Sequence, residues 1–414
     1  MQRPLQPELN AAWHAALHEL HPQTLVRDHI ALHRLSAGAS VIAVGKAAPA
    51  MAAGAFEALD HCNIGLVITT DSTPAGNLPA DVDVLRASHP IPDERSMIAA
   101  NAALALARKC SSPQLVVLVS GGASSLLCSP TGLSLEDKRL TTDKLLRNGA
   151  SIQACNTVRR HLSRVKGGGI AKACARPVHC IILSDVVRGQ PHDIGSGPAV
   201  ADPTTALEAA KIIDTYIDEP LRNRCKTALR ETLKPTDEQS ARITSAMLAS
   251  PIDLARAFAR KLREHGWDVG SGQLAGVTAA QLSEELVRSA SALRPGQGWV
   301  VACEPTLSLP ANAGHGGRAG WVALHALCSL PDDVVLWAAA SDGVDGVSGT
   351  GGACVLGKDK HRIERAIVQA SLDCCNDAVI HAALGSALHG APTGSNFTDV
   401  YSVLRCGGSL PRLR

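Results

Sequence analysis

Lys46, Asp185 and Arg318 are the residues whose type and surroundings speak most directly of chemistry. Lys46 follows Gly45 at the end of the apolar run Val41-Ile-Ala-Val44 and precedes a stretch that reads as a helix from Pro49 to Leu59. A lysine there can neutralise phosphate charge as a point cation. Asp185 ends the apolar run His179–Ser184. There it can hold Mg²⁺, orient a hydroxyl, or simply cap the next element. Arg318 stands behind the glycines of Gly314-His-Gly-Gly-Arg318, just before a predicted helix over Trp321–Leu327. Its guanidinium fork suits phosphate or carboxylate oxygens, and an ion pair is the plain structural alternative.

Small-residue loops complete the set. Leu115–Val119 reads as a buried strand that breaks at Ser120-Gly121-Gly122, with Ala123-Ser124-Ser125-Leu126-Leu127 opening a helix. Unpaired amides at such a turn form a ready anion site. The spacing is neither GxxxxGK[ST] nor GxGxxG. The loop Asp193–Pro198 brings Ser196 and Gly197, and Gly390–Asp399 brings Asn396 and Asp399. Asp342 and Asp345, three apart in Ser-Asp-Gly-Val-Asp-Gly, suit a divalent cation or a ribose hydroxyl; a plain Asx-turn reads almost as well.

These residues need strand ends to hold them. Strand-like and helical runs alternate along the chain, which predicts an α/β fold of two domains, each a mostly parallel or mixed sheet flanked by helices. In such sheets ligand groups gather at the carboxyl ends of the strands. The polar stretch Glu231–Ser240 interrupts the pattern, so the domains are expected at 1–235 and 236–414.

Composition narrows the function. Lys+Arg of 40 against Asp+Glu of 38 gives no basic surface for nucleic acid. Aromatic residues are 2%, too few for base stacking. No apolar run approaches the ~18 residues of a membrane span, and the polar opening residues lack a signal-peptide core, so a cytoplasmic protein is expected. The 13 cysteines are scattered, which suits reduced thiols rather than a disulfide scaffold.

Read in order, the segments resemble the class II glycerate 2-kinases, whose C-terminal part is the MOFRL domain. The matching stretches are Val44-Gly-Lys-Ala47, Ser88-His-Pro-Ile-Pro-Asp93, Ser120-Gly-Gly-Ala-Ser-Ser125, Val165-Lys-Gly-Gly168, Ser184-Asp-Val186, Ser196-Gly-Pro198 and Asp202-Pro-Thr-Thr205. Further on come Gly316-Gly-Arg318, Ser341–Gly346 and Pro392-Thr-Gly-Ser-Asn396. The resemblance implies a Rossmann-like N-terminal domain, a MOFRL-type C-terminal domain and an active site in a cleft between them. It implies ATP- and Mg²⁺-dependent phosphorylation of D-glycerate to 2-phosphoglycerate. The suspected catalytic lysine and arginine of the family fall on Lys46 and Arg318. Four positions, in two places, depart from its pattern. Gly169 stands where the family often has Arg, and Ala319-Gly-Trp321 stands where it usually has Asn-Gln-Glu. Two other readings stay open: an NAD(P)H-dependent hydroxypyruvate reductase, and a non-catalytic sugar-acid or nucleotide-binding protein on the same scaffold. A homo-oligomer is also left open.

Overall fold

The computed structural model describes residues 5–35, 38–59 and 64–407. They divide into two compact units.

The first unit runs from Pro22 to Leu248. Its strands are β1 (Ser40–Val44), β2 (Ile64–Thr70), β3 (Val82–Ala87), β4 (Leu115–Val119), β5 (Val178–Leu183) and β6 (Ile243–Ala249). They lie in the order β3-β2-β1-β4-β5-β6. The pairs β3–β2, β2–β1, β1–β4 and β4–β5 are parallel. β1 and β4 are buried along their whole length, which is why their sequences carry no polar alternation. The order reverses between β1 and β4, the place where a doubly wound sheet opens a crevice for ligands. Val44 stands opposite both Ile68 and Val119, and Val119 opposite Ile182. The loops after β1, β4 and β5 therefore leave the sheet side by side.

The predicted helix over 49–59 forms as Ala48–Ala58. The helix after β4 is only Ala123–Leu126, a single turn. A second layer packs Leu135–Arg147, Ile152–His161, Ala206–Tyr216 and Leu221–Ala228 around Leu145, Cys155, Val158, Ile213 and Cys225. Ser134, Ser151 and Thr205 cap the first three through their side-chain oxygens.

The second unit holds residues 5–21 and the chain from Ala249. Its strands are β7 (Asp268–Leu274), β8 (Gln297–Cys303), β9 (Val334–Ala340), β10 (Thr350–Leu356), β11 (Ala387–His389) and β12 (Asp399–Arg405), ordered β11-β10-β9-β12-β8-β7. Only β7–β8 is parallel; the other four pairings are antiparallel. β8 and β9 end where β12 begins, with Asp399 opposite Cys303 and Ala340. The predicted helices over 253–265 and 279–293 form as Pro251–Glu264 and Ala279–Ala292.

A division at 235 differs from this arrangement at both ends. The polar stretch 231–240 precedes β6, the last strand of the first sheet, whose half-exposed residues give no apolar run. The helix Gln6–Glu19 belongs to the second unit, where Trp13 meets Phe258 edge-on at 5.4 Å between ring centres.

Candidate active site

The loops after β1 and β4 interlock. The Ser120 amide donates to the Val44 carbonyl at 2.9 Å, and the Lys46 amide to the Gly121 carbonyl at 2.9 Å. The Ser120 hydroxyl accepts from the Ala47 amide at 3.1 Å and is fully buried. The Ser120 side chain latches the two loops together. Gly45, at φ +130°, is what allows this, since a Cβ there would stand 2.1 Å from the Ser120 oxygen.

Gly122 takes the left-handed conformation at φ +83°. A Cβ on it would lie 3.4 Å from Lys46 Cγ and 3.2 Å from the His89 ring. The Lys46 stem thus lies over Gly122, and His89, which is not among the expected site residues, borders the same turn. Among the described residues the Gly121 and Gly122 amides donate to no other group. A helix of one turn has little macrodipole, so the anion preference of this turn rests on those amides and the Lys46 charge.

Two residues after Gly122, Ser124 meets the second loop. Its hydroxyl is 3.1 Å from that of Ser196. Gly195, Ser196 and Gly197 are all left-handed, with φ near +60°. A serine held there is a strained feature of the kind found at functional sites. The Gly167 and Gly168 amides hold the turn by donating to the Ser196 and Gly197 carbonyls. Asp185 follows β5 at the same edge and is partly buried, while Ser184 closes the turn around it onto Val186.

Two cations contact Ser124 and a third stands behind them, none of them expected at the site. Arg159 Nη2 donates to the Ser124 hydroxyl at 2.5 Å. Lys166, almost wholly buried, donates to the Ser124 carbonyl, to its hydroxyl at 3.1 Å and to the Leu127 carbonyl at 3.0 Å. Lys138 caps the Arg159 and Leu162 carbonyls at 2.9 and 3.3 Å. Burial pushes Lys138 down to about 7 and Lys166 well below the lysine range, with Arg159 adding to both.

The second unit builds its site from acids. Arg318 opens the helix Arg318–Leu327, one turn earlier than predicted. Its Nη1 lies 2.8 Å from Glu304 and its Nε 3.2 Å from Asp399. Burial works against its charge, but Asp399 and Glu304 outweigh that and hold the guanidinium above its ordinary range. Burial raises Asp399 to about 7, with Arg318 opposing.

Behind Arg318 stand Asp345 and Asp377. The two Asp345 oxygens accept the Ala319 and Gly320 amides at 3.0 and 2.8 Å. Asp377 accepts from the Gly317 amide at 3.4 Å. A Cβ on Gly316, Gly317 or Gly320 would lie 2.1–2.3 Å from one of these carboxylates, which explains the glycines around Arg318. Burial, then the neighbouring Asp345, raises Asp377 to about 7.

Both members of the expected metal pair hold backbone amides in this structure. Asp345 spends both oxygens on a helix N-terminus, and Asp342 gives Oδ1 to the Val344 amide at 3.1 Å, an Asx-turn. Among the described residues no three His, Cys, Asp or Glu side chains gather as a metal site. Asn396, partly buried, sits in a loop that the Ser341 hydroxyl holds by accepting the Phe397 and Thr398 amides.

The departures from the family pattern also change meaning. Ala319 and Gly320 are buried against Asp345 and Asp377, and Trp321 donates Nε1–H to the Leu372 carbonyl and stacks on His325. A Cβ on Gly169 would lie 2.2 Å from the Arg164 carbonyl, so this backbone admits only glycine there.

Comparison with known proteins agrees with this geometry. Residues 8–234 match a domain of unknown function, DUF4147, and residues 298–399 match the MOFRL family. A protein from Agrobacterium vitis, carried under a provisional hydroxypyruvate reductase name, is 35% identical, over 88% of this chain and 86% of its own. The glycerate 2-kinase of Pyrococcus horikoshii is 33% identical, over 87% and 86%. The crystal structure of glycerate kinase from Thermotoga maritima superposes with a TM-score of 0.82 at 27% identity, covering 97% of this chain and 99% of that one. A turn of unpaired amides beside a lysine, a charged arginine set among carboxylates, and these relatives converge: the chain belongs to the class II, MOFRL-domain glycerate 2-kinase family.

Proposed function

We propose that the protein transfers the terminal phosphoryl group of ATP to the 2-hydroxyl of D-glycerate, giving 2-phosphoglycerate and ADP. One observation carries the reading. The strand order is that of a dinucleotide-binding sheet, yet the loop after β1 is Gly45-Lys46-Ala47-Ala48, without the glycines a pyrophosphate-bridged dinucleotide needs. In their place stand an ammonium and the amides of Gly121 and Gly122, which suit a phosphate chain.

Lys46 is assigned to phosphate charge, and Arg318 to the charge that develops on the transferring group. Asp185 is assigned to orienting the attacking hydroxyl, Ser124, Ser196 and Gly197 to the substrate, and Asn396 to a polar contact. The residues present do not make a two-carboxylate Mg²⁺ cage, so the ion is assigned to the nucleotide phosphates, as a constituent of the nucleotide substrate. The described cysteines are free thiols, which suits a reducing cytoplasm where ATP is also at hand. Among the described residues no helix is long and apolar enough to cross a membrane.

Phosphorus NMR of a reaction with ATP, Mg²⁺ and D-glycerate should show 2-phosphoglycerate. Formation of 3-phosphoglycerate alone, or no ADP release across a panel of small hydroxy acids, overturns the reading. The name of the Agrobacterium relative favours a second reading, a hydroxypyruvate reductase. NADH oxidation with hydroxypyruvate in the absence of ATP is the outcome that would establish it.

A further inference from the structure

Two adjacent arginines on one helix have opposite surroundings. Arg160 is buried and paired: Nε lies 3.0 Å from Asp202 and Nη1 3.7 Å from Asp193. Arg159 turns the other way and is largely withdrawn from water. Its contacts are the Ser124 hydroxyl and, at 3.4 Å, Asn156 Oδ1. Among the described residues it makes no ion pair.

Its other neighbours deepen the imbalance. Lys166 shares the Ser124 hydroxyl, and Lys138 bonds the Arg159 carbonyl. Two cations thus meet at one serine and a third caps the helix end that carries Arg159, with hydroxyls, carbonyls and an amide as their hydrogen-bond partners. A cation held away from water without a counter-charge is costly. The local structure supplies the ammonium groups with carbonyls; it leaves most of the guanidinium fork unused.

We propose that Arg159, with the hydroxyls of Ser124 and Ser196, binds the carboxylate of the hydroxy-acid substrate. The assignment rests on the kinase reading above and adds a substrate anchor to it. A planar fork matches a carboxylate with two parallel N–H···O bonds, and two hydroxyls can donate to the remaining lone pairs. The glycine turn with Lys46 is a different kind of station, made of amides and a point charge, and it is left for the phosphates. The left-handed Ser196 is then explained, since its strained backbone is what brings its hydroxyl to Ser124. Lys166 serves as a positioning residue that fixes the Ser124 turn.

The test uses Arg159→Met and Arg159→Lys in the full chain. D-Glycerate binding is measured by calorimetry, and KM for D-glycerate and for ATP are measured separately. Loss of a charge-assisted pair predicts a rise of roughly ten- to a hundredfold in glycerate Kd and KM for Arg159→Met. The KM for ATP should stay within about twofold. Arg159→Lys should recover part of the loss. Glycerol, which lacks the carboxylate, gives the decisive ratio: the preference for glycerate over glycerol should shrink in Arg159→Met, an effect that mere loosening of the fold does not produce. If Arg159→Met fails to fold, Ser196→Ala should shrink the same ratio in the same direction. A rise in the KM for ATP alone, or a parent protein that binds D-glycerate no more tightly than Arg159→Met does, overturns the assignment. Failure of the kinase reading would look different, with no D-glycerate turnover by the parent itself.

Discussion

The carboxyl edge of the first sheet and the corner around Arg318 each present a cation, but they are built in opposite ways. Lys46, Arg159, Lys166 and Lys138 stand among glycines, hydroxyls and carbonyls. Arg318 stands among Glu304, Asp399, Asp345 and Asp377. In the first region the partners of Arg159, Lys166 and Lys138 are hydroxyl, carbonyl and amide oxygens. The second carries its own counter-charge, so its arginine is fixed in place and kept charged before any ligand arrives. One region holds its cations with carbonyls and hydroxyls; the other holds its guanidinium with carboxylates.

Removing each cation separates the two designs most sharply. Lys46→Ala and Arg318→Ala should each lower kcat/KM by about a hundredfold or more. Their stabilities should diverge. Lys46 is partly exposed, and its loss should leave the melting temperature close to that of the parent. Arg318→Ala leaves the buried Asp399 without its cation and should melt lower. That deficit should be larger at pH 8 than at pH 6, because an unpaired Asp399 can protonate at the lower pH. Equal melting temperatures for the two variants at both pH values would erase the distinction.

The glycines of the acidic corner come next. Gly320→Gln places a Cβ 2.3 Å from Asp377 Oδ2 and should cost about 2 kcal/mol or more in chemical denaturation. The preference of the folded enzyme among hydroxy acids should not change. A shift toward D-glycerate without loss of stability would show that position 320 faces substrate after all.

Asp377 gives the smallest and most specific effect. Its ordinary value is 3.8 and its folded value about 7, so between those limits the folded state keeps a proton that the unfolded state has lost. Stability contributed by this group is therefore present at low pH and falls as pH rises from about 4 to 7. Asp377→Asn removes the dependence. Denaturant midpoints at pH 5 and pH 8 should show the parent losing on the order of 1 kcal/mol more than the variant. Parallel losses would mean that Asp377 is already ionised at pH 5.

The same contrast explains what the sequence makes legible. Lys46, Gly121, Gly122 and Arg318 sit next to apolar runs or glycine clusters, and such local signals survive without a structure. The mostly parallel character of the first sheet follows from the alternation of strand-like and helical runs; its strand order does not. Arg159 is different. It lies on an amphipathic helix whose polar face reads as solvated surface, and only tertiary packing turns it toward Ser124. Asp377 and Glu304 belong to no motif and meet Arg318 or its helix from distant segments. The surroundings of Asp345 are likewise hidden in the sequence. Its spacing from Asp342 suits a cation, but the amides of a helix start 26 residues away claim Asp345 first. β6 and β12 lacked a clean pattern as well: β6 is half exposed, and β12 follows a small-residue loop that draws attention to itself.

The placement of Gln6–Glu19 in the second unit has a consequence for how the chain is made. Glu19 pairs with Arg260, 241 residues later, and Trp13 rests on Phe258. At ribosomal rates of about 5–20 residues per second, this helix waits on the order of ten seconds to a minute for its partner to emerge. In that interval the entire first unit is synthesised and can close on itself, while Leu9, Trp13 and Leu17 remain without their seats. The nascent chain thus carries an apolar helix whose cover is made more than two hundred residues later, and a chaperone that binds exposed apolar helices has its longest opportunity there.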